Sequence, residues 1–149
     1  EQALMSSGLP PYLLELEVTE SCFIKNIENA QSMLAQIHQL GVALSIDDFG
    51  TGYSSLSYLS QLSLDTLKID ASFVANVPDD PQQCQIVQTI IAMAKALNLA
   101  IIAEGVETKA QIDFLCSQDC QVYQGYYFSR PMNAVDTERQ QLSPLMTLT

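Results

Sequence analysis

The sequence predicts an α/β fold whose strands are parallel and form part of a (β/α)8 barrel. Helical and strand-like segments alternate along the chain, and no hairpin signal such as Asn-Gly joins two strands. This alternation is typical of parallel strands connected by crossover helices. An open doubly wound sheet is the competing architecture, but no glycine-rich GxGxxG turn follows any predicted strand, which removes the main reason to favour it.

The chain length fits part of a TIM-like barrel. A complete barrel needs about 250 residues, or about 31 for each βα unit, so five units account for roughly 150. The chain has 149 residues. We therefore expect one domain over residues 1–149 that holds about the last five βα units, with the first three units absent. Its polar end, residues 133–149, is expected to be a loosely ordered tail.

The predicted strands are short apolar runs, and the predicted helices have apolar residues at three- and four-residue spacing. The strands are Tyr12–Leu16, Val42–Ile46, Thr66–Ile69, Ala100–Ala103 and Val122–Phe128. The helices are Asn29–Leu40, Tyr53–Leu62, Gln82–Leu97 and Lys109–Cys116. In the first helix the apolar stripe consists of Ala30, Met33, Leu34, Ile37 and Leu40, and Gly41 ends it.

Composition excludes several classes of function. Seventeen acidic and six basic residues leave a net charge of −11, so the chain cannot assemble a basic face for duplex nucleic acid or an anionic membrane. No apolar run reaches the roughly 18 residues that a membrane span needs, and we expect no secretory leader. Four cysteines without a CxxC pair and a single histidine argue against a zinc site and favour reduced thiols in the cytoplasm.

Each predicted strand ends in a residue that can bind a metal or move a proton. In chain order these residues are Glu17, Asp47, Lys68, Glu104 and Gln124. Active sites of (β/α)8 enzymes lie at the carboxyl ends of several strands. The sequence therefore predicts that these five side chains meet at one end of the barrel.

The same end would collect too many negative charges to be stable without cations. Alternate residues of a strand face the same side, so the acidic residues at the strand ends point into the barrel. The acidic residues next to them in sequence would crowd the same opening. The full set is Glu17, Glu20, Asp47, Asp48 and Glu104, with Glu107 nearby. Their repulsion would amount to several kcal/mol in a partly dry site. Oxygen ligands alone favour Mg²⁺, Mn²⁺ or Ca²⁺, and adjacent aspartates suit two ions about 4 Å apart, as in phosphodiester cleavage. Glu15 faces inward by the same strand parity but lies one layer deeper in the barrel than Glu17. We expect it to be a buried acid paired with Lys68 or a hydroxyl.

Five motifs in the region of residues 10–132 resemble the EAL-domain cyclic di-GMP phosphodiesterases. In chain order they are Glu17-Val-Thr-Glu20-Ser21, Asp47-Asp48-Phe49-Gly50-Thr51-Gly52-Tyr53-Ser54-Ser55-Leu56, Leu67-Lys68-Ile69-Asp70, Ala103-Glu104-Gly105-Val106-Glu107-Thr108 and Gln124-Gly125-Tyr126-Tyr127-Phe128-Ser129-Arg130-Pro131. The number of motifs and their order make a chance match very improbable.

The resemblance implies a two-metal site that holds Mg²⁺ or Mn²⁺. Glu17 and Asp47 would bind the first ion, and Asp47 and Asp48 the second. Glu20 would brace the loop formed by residues 48–55, which couples metal binding to dimerisation in the family. Lys68 would orient or polarise the attacking water.

The remaining site residues follow from the same resemblance. Glu104 would act as general base or as a partner of the metal ligands. Glu107 and Gln124 would complete the site, and Asp70 and Arg130 would contact the substrate or support the ligands.

The implied reaction is hydrolysis of one phosphodiester bond of cyclic di-GMP, giving the linear dinucleotide, in bacterial second-messenger signalling. By the same resemblance, the domain is cytoplasmic, even where other domains anchor the parent protein in a membrane, and the parent protein carries sensor or GGDEF modules. The Glu-Ala-Leu glutamate and an asparagine ligand of the family belong upstream of Glu1, so we expect the isolated segment to be inactive. The alternatives are a non-catalytic module that binds cyclic di-GMP or a protein partner, and a truncated remnant without a role.

An incomplete barrel would leave unpaired strand edges and uncovered apolar surface. We therefore expect self-association, as a homodimer or a larger assembly.

Overall fold

Five parallel strands form one sheet in the order β1-β2-β3-β4-β5. The structure is a computed structural model, and it describes residues 2–19, 27–50 and 59–141. The strands are β1 (Glu15–Thr19), β2 (Ala43–Phe49), β3 (Thr66–Ile69), β4 (Ala100–Ala103) and β5 (Val122–Tyr123). The helices are α1 (Gln2–Ser7), α2 (Ile27–Gln39), α3 (Ala71–Val74), α4 (Pro81–Ala96), α5 (Lys109–Ser117) and α6 (Ala134–Gln141), and a 3-10 turn spans Pro11–Leu13. The prediction of an α/β fold with a parallel sheet is confirmed.

One face of the sheet packs against helices and forms the apolar core. The sheet supplies Ile46, Leu67, Ile69 and Ala103, each at most 1% exposed, and the helices supply Val74, Val87, Ile90, Ile91, Ala94 and Leu115. Helix α4 is the main cover, and its start is fixed locally. Pro81 occupies the first turn, and Asp80 accepts hydrogen bonds from the N–H groups of Gln82 (2.8 Å) and Gln83 (3.3 Å).

The other face of the sheet carries polar side chains. Ser45, Thr66 and Lys68 are 0%, 8% and 4% exposed. Ser45 is opposite Glu17 on one side and Thr66 on the other in the strand register. Because successive side chains of a strand point to opposite faces, β3 presents Leu67 and Ile69 to the helices and Lys68 to this polar face.

At the amino ends of the strands, one aspartate joins three of them. Asp65 Oδ2 accepts from the N–H of Leu44 (2.8 Å), and the Asp65 N–H donates to the Leu44 carbonyl (2.8 Å). The Asp65 carbonyl accepts from the N–H of Ala100 (2.8 Å). Strands β2, β3 and β4 are therefore held in register at the end opposite to the predicted site.

Several local predictions need correction. The first strand begins at Glu15, later than predicted, after the Pro11–Leu13 turn. The final strand ends at Tyr123, because the chain then turns back and Tyr127 N–H bonds the Val106 carbonyl (3.0 Å). Glu15 is exposed rather than buried, since the five-stranded sheet is open beside it.

Two further differences concern helices. Met33 and Leu40, predicted to face inward, are 56% and 38% exposed. The tail predicted over residues 133–149 contains helix α6, whose first turn is capped by Asn133 Oδ1 accepting from the Asp136 N–H at 3.0 Å. Most of the predicted helix Tyr53–Leu62 lies outside the described residues. Within the described part of the chain, no helix combines the length and apolarity needed to cross a membrane.

Candidate active site

Lys68 is the centre of the polar face. Its Nζ lies 2.6 Å from Glu17 Oε1, 2.7 Å from Glu104 Oε1 and 3.2 Å from Asp47 Oδ1. These partners come from β1, β2 and the end of β4, so the ammonium joins three strands besides its own. Burial opposes the charge, but hydrogen bonds to Glu104, Glu17 and Asp47 outweigh it and raise the pKa of Lys68. Lys68 therefore remains a cation at any physiological pH.

Three carboxylates beside Lys68 form a compact group of oxygen donors. Asp47, Asp48 and Glu104 each offer an oxygen, and these atoms all lie within 4.8 Å of one another. The charge of Asp47 is the main cause of a raised pKa at Asp48, followed by burial and then by the charge of Asp70. Burial raises the pKa of Glu104, with Asp47 adding to it and Lys68 opposing it. One lysine therefore does not fully compensate the negative charge.

The local backbone explains how two adjacent aspartates reach the same place. The pairing of β2 with β3 is irregular between Ile46 and Phe49, which is where Asp47 and Asp48 lie. Asp48 has a φ of 54°, a left-handed conformation that aspartate tolerates better than most residues. Such an irregularity redirects side chains at the end of a strand, so both carboxylates can approach Glu104.

The loop after β4 depends on two close backbone approaches. Glu104 N–H donates to the Ile69 carbonyl (3.0 Å), which continues the β3–β4 pairing into the loop. A Cβ on Gly105, whose φ is 68°, would lie 2.4 Å from Ala71 Cβ, and a Cβ on Gly125 would lie 2.1 Å from the Val106 carbonyl oxygen. Only glycine fits at both positions. Close packing around the loop that carries Glu104 therefore requires glycine at positions 105 and 125.

The structure also describes four of the other predicted site residues, Glu107, Gln124, Asp70 and Arg130. Glu107 is exposed, with its N–H bonded to Gln111 Oε1 (2.8 Å), and Gln124 is exposed with its carbonyl accepting from the Val106 N–H (3.1 Å). Asp70 caps α3 by accepting from the Ser72 N–H (3.0 Å). Arg130 lies over the Tyr126 ring at 4.7 Å. Glu20 lies outside the described residues.

The structure brings Glu17, Asp47, Asp48, Lys68 and Glu104 together. Gln124, which the sequence also predicted at this meeting point, is exposed, and no described contact joins its side chain to the group. Glu17 is not one of the three mutually close oxygen donors, and it joins the group through Lys68. The three close donors are all carboxylates, a set of hard oxygen ligands that fits Mg²⁺, Mn²⁺ or Ca²⁺.

Two buried polar residues around the site were not assigned a role from sequence. Ser45 Oγ is buried and has no hydrogen-bond partner among the described residues. Gln111 is 4% exposed and hydrogen-bonds the loop after β4. The signal for Gln111 was present in the sequence, because Thr108 and Gln111 have the spacing of a helix capping box.

Comparisons with known proteins agree on one family. The sequence model described as "EAL domain" matches residues 1–131. The cyclic di-GMP phosphodiesterase NbdA of Pseudomonas aeruginosa is 52% identical over 130 residues, which are 87% of this chain and 17% of NbdA. The chain thus spans about a sixth of that curated relative.

Solved structures are similar in fold and sequence. The PaMucR phosphodiesterase in complex with c-di-GMP matches with a TM-score of 0.87 and 45% identity, over 91% of this chain and 55% of that one. Klebsiella pneumoniae BlrP1 in a manganese/cy-diGMP complex matches with a TM-score of 0.80 and 35% identity, over 87% of this chain and 33% of that one.

Proposed function

The chain belongs to the EAL domain family, and we propose that it is the C-terminal part of a domain that hydrolyses cyclic di-GMP to the linear dinucleotide. The observation that carries the proposal is the arrangement of Lys68 within hydrogen-bonding distance of Glu17, Asp47 and Glu104, beside the close carboxylates of Asp47, Asp48 and Glu104. A cationic donor next to a group of hard oxygen ligands suits the charged phosphodiester and the divalent ions that such hydrolysis uses.

The carboxylates would hold two Mg²⁺ or Mn²⁺ ions. We assign Glu17 and Asp47 to the first ion and Asp47 and Asp48 to the second, with Glu104 as a partner of these ligands. When bound, such ions polarise the phosphoryl oxygens and make water more acidic. The raised pKa of Asp48 supports the assignment, because its main cause is the charge of Asp47, a repulsion that a cation would remove. A manganese complex of a similar domain agrees with this metal class.

Lys68 and Glu104 would have complementary roles. Because its pKa is raised, the Lys68 ammonium keeps its protons, and it would donate a hydrogen bond to the attacking water or to a phosphoryl oxygen in place of one of its three carboxylate partners. Burial makes the Glu104 carboxylate more basic than usual, which favours it as the acceptor of a proton from water. Their contact of 2.7 Å would hold both groups at the same reacting atoms.

The neighbouring residues would complete the site. Glu20 would brace the loop of residues 48–55, and Glu107 and Gln124 would lie beside the dinucleotide at the end of the sheet. Asp70 would support Asp48, whose pKa it helps to raise. Arg130, held over the Tyr126 ring, would offer a cation to the phosphates.

The experiment compares this chain with the full-length gene product that contains it, in the presence of cyclic di-GMP and Mn²⁺, and follows the linear dinucleotide by chromatography. We expect turnover by the full-length protein and little by the segment alone, since the family's Glu-Ala-Leu glutamate and its asparagine ligand are not in it. Lys68→Met should reduce kcat by about 10²–10⁴-fold, as expected for loss of a group that orients water or stabilises charge.

Lys109→Met is the matched control. Lys109 is also ion-paired to a carboxylate, Asp113 (2.8 Å), but on the exposed surface of α5, so its loss should leave kcat unchanged. Equal kcat for wild type and Lys68→Met would contradict the proposed mechanism. Tight binding of cyclic di-GMP without turnover by the full-length protein would favour the alternative, a non-catalytic binding module.

We also propose that the protein self-associates as a homodimer or larger assembly. Large apolar side chains are exposed on the segment leading into β1 and on β1 itself: Met5, Tyr12, Leu13 and Leu16 are 79%, 75%, 62% and 38% exposed. Among the described residues, β1 is the last strand on its side of the sheet. Such a patch at a sheet edge favours association. A compact monomer in sedimentation at micromolar concentration would contradict the assembly.

The setting of the parent protein is part of the proposal. Cys84, Cys116 and Cys120 are free thiols, which suits the reducing cytoplasm. Fusion to sensor or GGDEF modules would account for the small share of NbdA that the chain spans.

A further inference from the structure

The side chain of Gln111, at the third position of α5, is buried and makes four hydrogen bonds. Its Oε1 accepts from the N–H groups of Glu107 (2.8 Å) and Thr108 (2.9 Å). Its Nε2 donates to the carbonyls of Val74 (3.2 Å) and Ala75 (3.3 Å). Both amide hydrogens and both lone pairs of the amide oxygen are therefore used.

These bonds connect the segments that follow two neighbouring strands: the loop after β4, and the segment after β3 that contains α3. Both segments are called loops below. The two N–H groups belong to the loop after β4, which begins with Glu104. The two carbonyls lie at the end of α3, the short helix that Asp70 caps directly after β3. Lys68 lies on β3, two residues before that cap. One side chain thus joins the segment that carries Glu104 to the segment that carries Lys68 and Asp70.

A helix cap explains half of this arrangement. The capping box of α5 consists of Thr108 Oγ1 accepting from the Gln111 N–H and Gln111 Oε1 accepting from the Thr108 N–H. Glutamate completes such a box equally well, and its charge suits a helix N-terminus better. Glutamate has no N–H to donate, however. The bonds to Val74 and Ala75 are therefore the contacts that require an amide at this position.

The two loops also pack too closely to move independently. A Cβ on Gly105 would lie 2.4 Å from Ala71 Cβ, so the loop after β4 rests on the first residue of α3. A shift of either loop would be transmitted to the other, and then to the contact of 2.7 Å between Lys68 and Glu104.

We propose that Gln111 is a positioning residue for the hydrolysis, which holds the loop of Glu104 against α3 so that Glu104 and Lys68 stay in catalytic contact. This inference rests on the proposed function. Gln111 is 4% exposed and acts through the residues that it binds.

The first test uses the 149-residue chain and does not depend on activity. In Gln111→Met, amide hydrogen exchange at Glu107 and Thr108, measured by NMR, should be at least about tenfold faster, because both N–H groups lose their acceptor. In Gln111→Glu the acceptor remains, so exchange at these two amides should stay near the wild-type rate. The matched control is Leu115→Ala, a buried residue of the same helix without this polar link. It should lower thermal stability without a selective effect on the two amides.

The second test measures kcat and KM for cyclic di-GMP in the full-length gene product, well below the thermal midpoint of each variant. Gln111→Met and Gln111→Glu should each reduce kcat by about tenfold to a hundredfold with little change in KM, since misplacement of reacting groups lowers the rate of the chemical step. Leu115→Ala should keep the wild-type kcat.

The outcomes separate the two proposals. Wild-type kcat in Gln111→Glu would overturn the role of the bonds to Val74 and Ala75, and unchanged amide exchange in Gln111→Met would overturn the link to the loop. Faster exchange in Gln111→Met, together with a wild-type protein that does not turn over cyclic di-GMP, would support the link between the loops and contradict the proposed function.

Discussion

The two faces of the sheet are built from alternate residues of the same strands, yet one face buries apolar side chains and the other holds charged ones. On β3, Leu67 and Ile69 are fully buried among helix side chains, while Lys68 between them is only 4% exposed but contacts three carboxylates. The face that packs against the helices, called the helix face below, stabilises the fold by removing apolar surface from water. The polar face, which carries the site and is called the site face below, retains charges that repel one another: the charge of Asp47 is the main cause of the raised pKa of Asp48, and it adds to the effect of burial, which raises the pKa of Glu104. The helix face therefore supplies the stability that lets the site face keep an unfavourable arrangement of charges.

The largest effect on stability is expected on the helix face. Leu67→Ala removes a side chain that is 0% exposed and should lower the free energy of unfolding by about 2–5 kcal/mol, through lost burial and the cavity left behind. Urea denaturation followed by circular dichroism measures the change. A loss below about 1 kcal/mol would show that the core can collapse around the gap.

A smaller effect on stability is expected one residue along the chain, on the site face. Lys68→Met leaves Glu17, Asp47 and Glu104 without their shared cation, and should lower the free energy of unfolding by about 1–3 kcal/mol. The cost stays below that of breaking a fully buried pair, because the Glu17 side chain is 53% exposed. Mn²⁺ should restore part of the stability. Thermal unfolding with Mn²⁺ and with EDTA tests this, and equal recovery in Leu67→Ala would show that the ion acts elsewhere.

A modest gain in stability is expected from removing a charge on the site face. The folded-state pKa of Asp48 is above its ordinary value of 3.8, so its contribution to stability is present below the unfolded pKa and is lost as pH rises through the folded pKa. Asp48→Asn should therefore raise the thermal midpoint at pH 7 in EDTA and abolish most of the stabilisation by Mn²⁺. Midpoints measured from pH 3 to pH 7 should diverge between variant and wild type as pH rises. Parallel curves would contradict the repulsion.

The smallest effect concerns the edge of the helix face at β5. Burial, and then a hydrogen bond with Cys116, raise the pKa of Tyr123 to about 12. Because the folded-state pKa is raised, any stability linked to this group is present below pH 10 and is lost as pH approaches 12. The difference in ultraviolet absorbance between wild type and Tyr123→Phe during alkaline titration should therefore appear above pH 11. A difference centred near pH 10 would show that the ring is solvated.

Sequence periodicity predicted the regular parts of this fold well. β3 and β4 have the predicted bounds, α4 differs from prediction by one residue at each end, and α5 differs by one residue at its C-terminal end. These elements were predictable because short apolar runs and amphipathic stripes are local features of the sequence. β5 was predicted too long because its end depends on distant contacts. The chain leaves the sheet where Gly125 and Tyr127 meet Val106, about twenty residues earlier.

The sequence predicted most of the residues that form the site, but only partly which of them contact one another. The alternation of strands and the position of polar residues at strand ends were sufficient to bring Asp47, Lys68 and Glu104 together. That one ammonium contacts three carboxylates follows from the strand register, which the sequence does not reveal. Glu15 was placed on the inward side by the same parity, but it is exposed, since parity assigns a face and does not determine what covers it.

Asp65, which joins β2, β3 and β4 at their amino ends, has a consequence for how such a protein can change over generations. Strand alignment is secured far from the reacting groups, so substitutions among the loops at the opposite end need not disturb it. A lineage can therefore lose or retune catalysis while retaining its architecture, and an ancestral hydrolase could become a receptor without passing through an unfolded intermediate form.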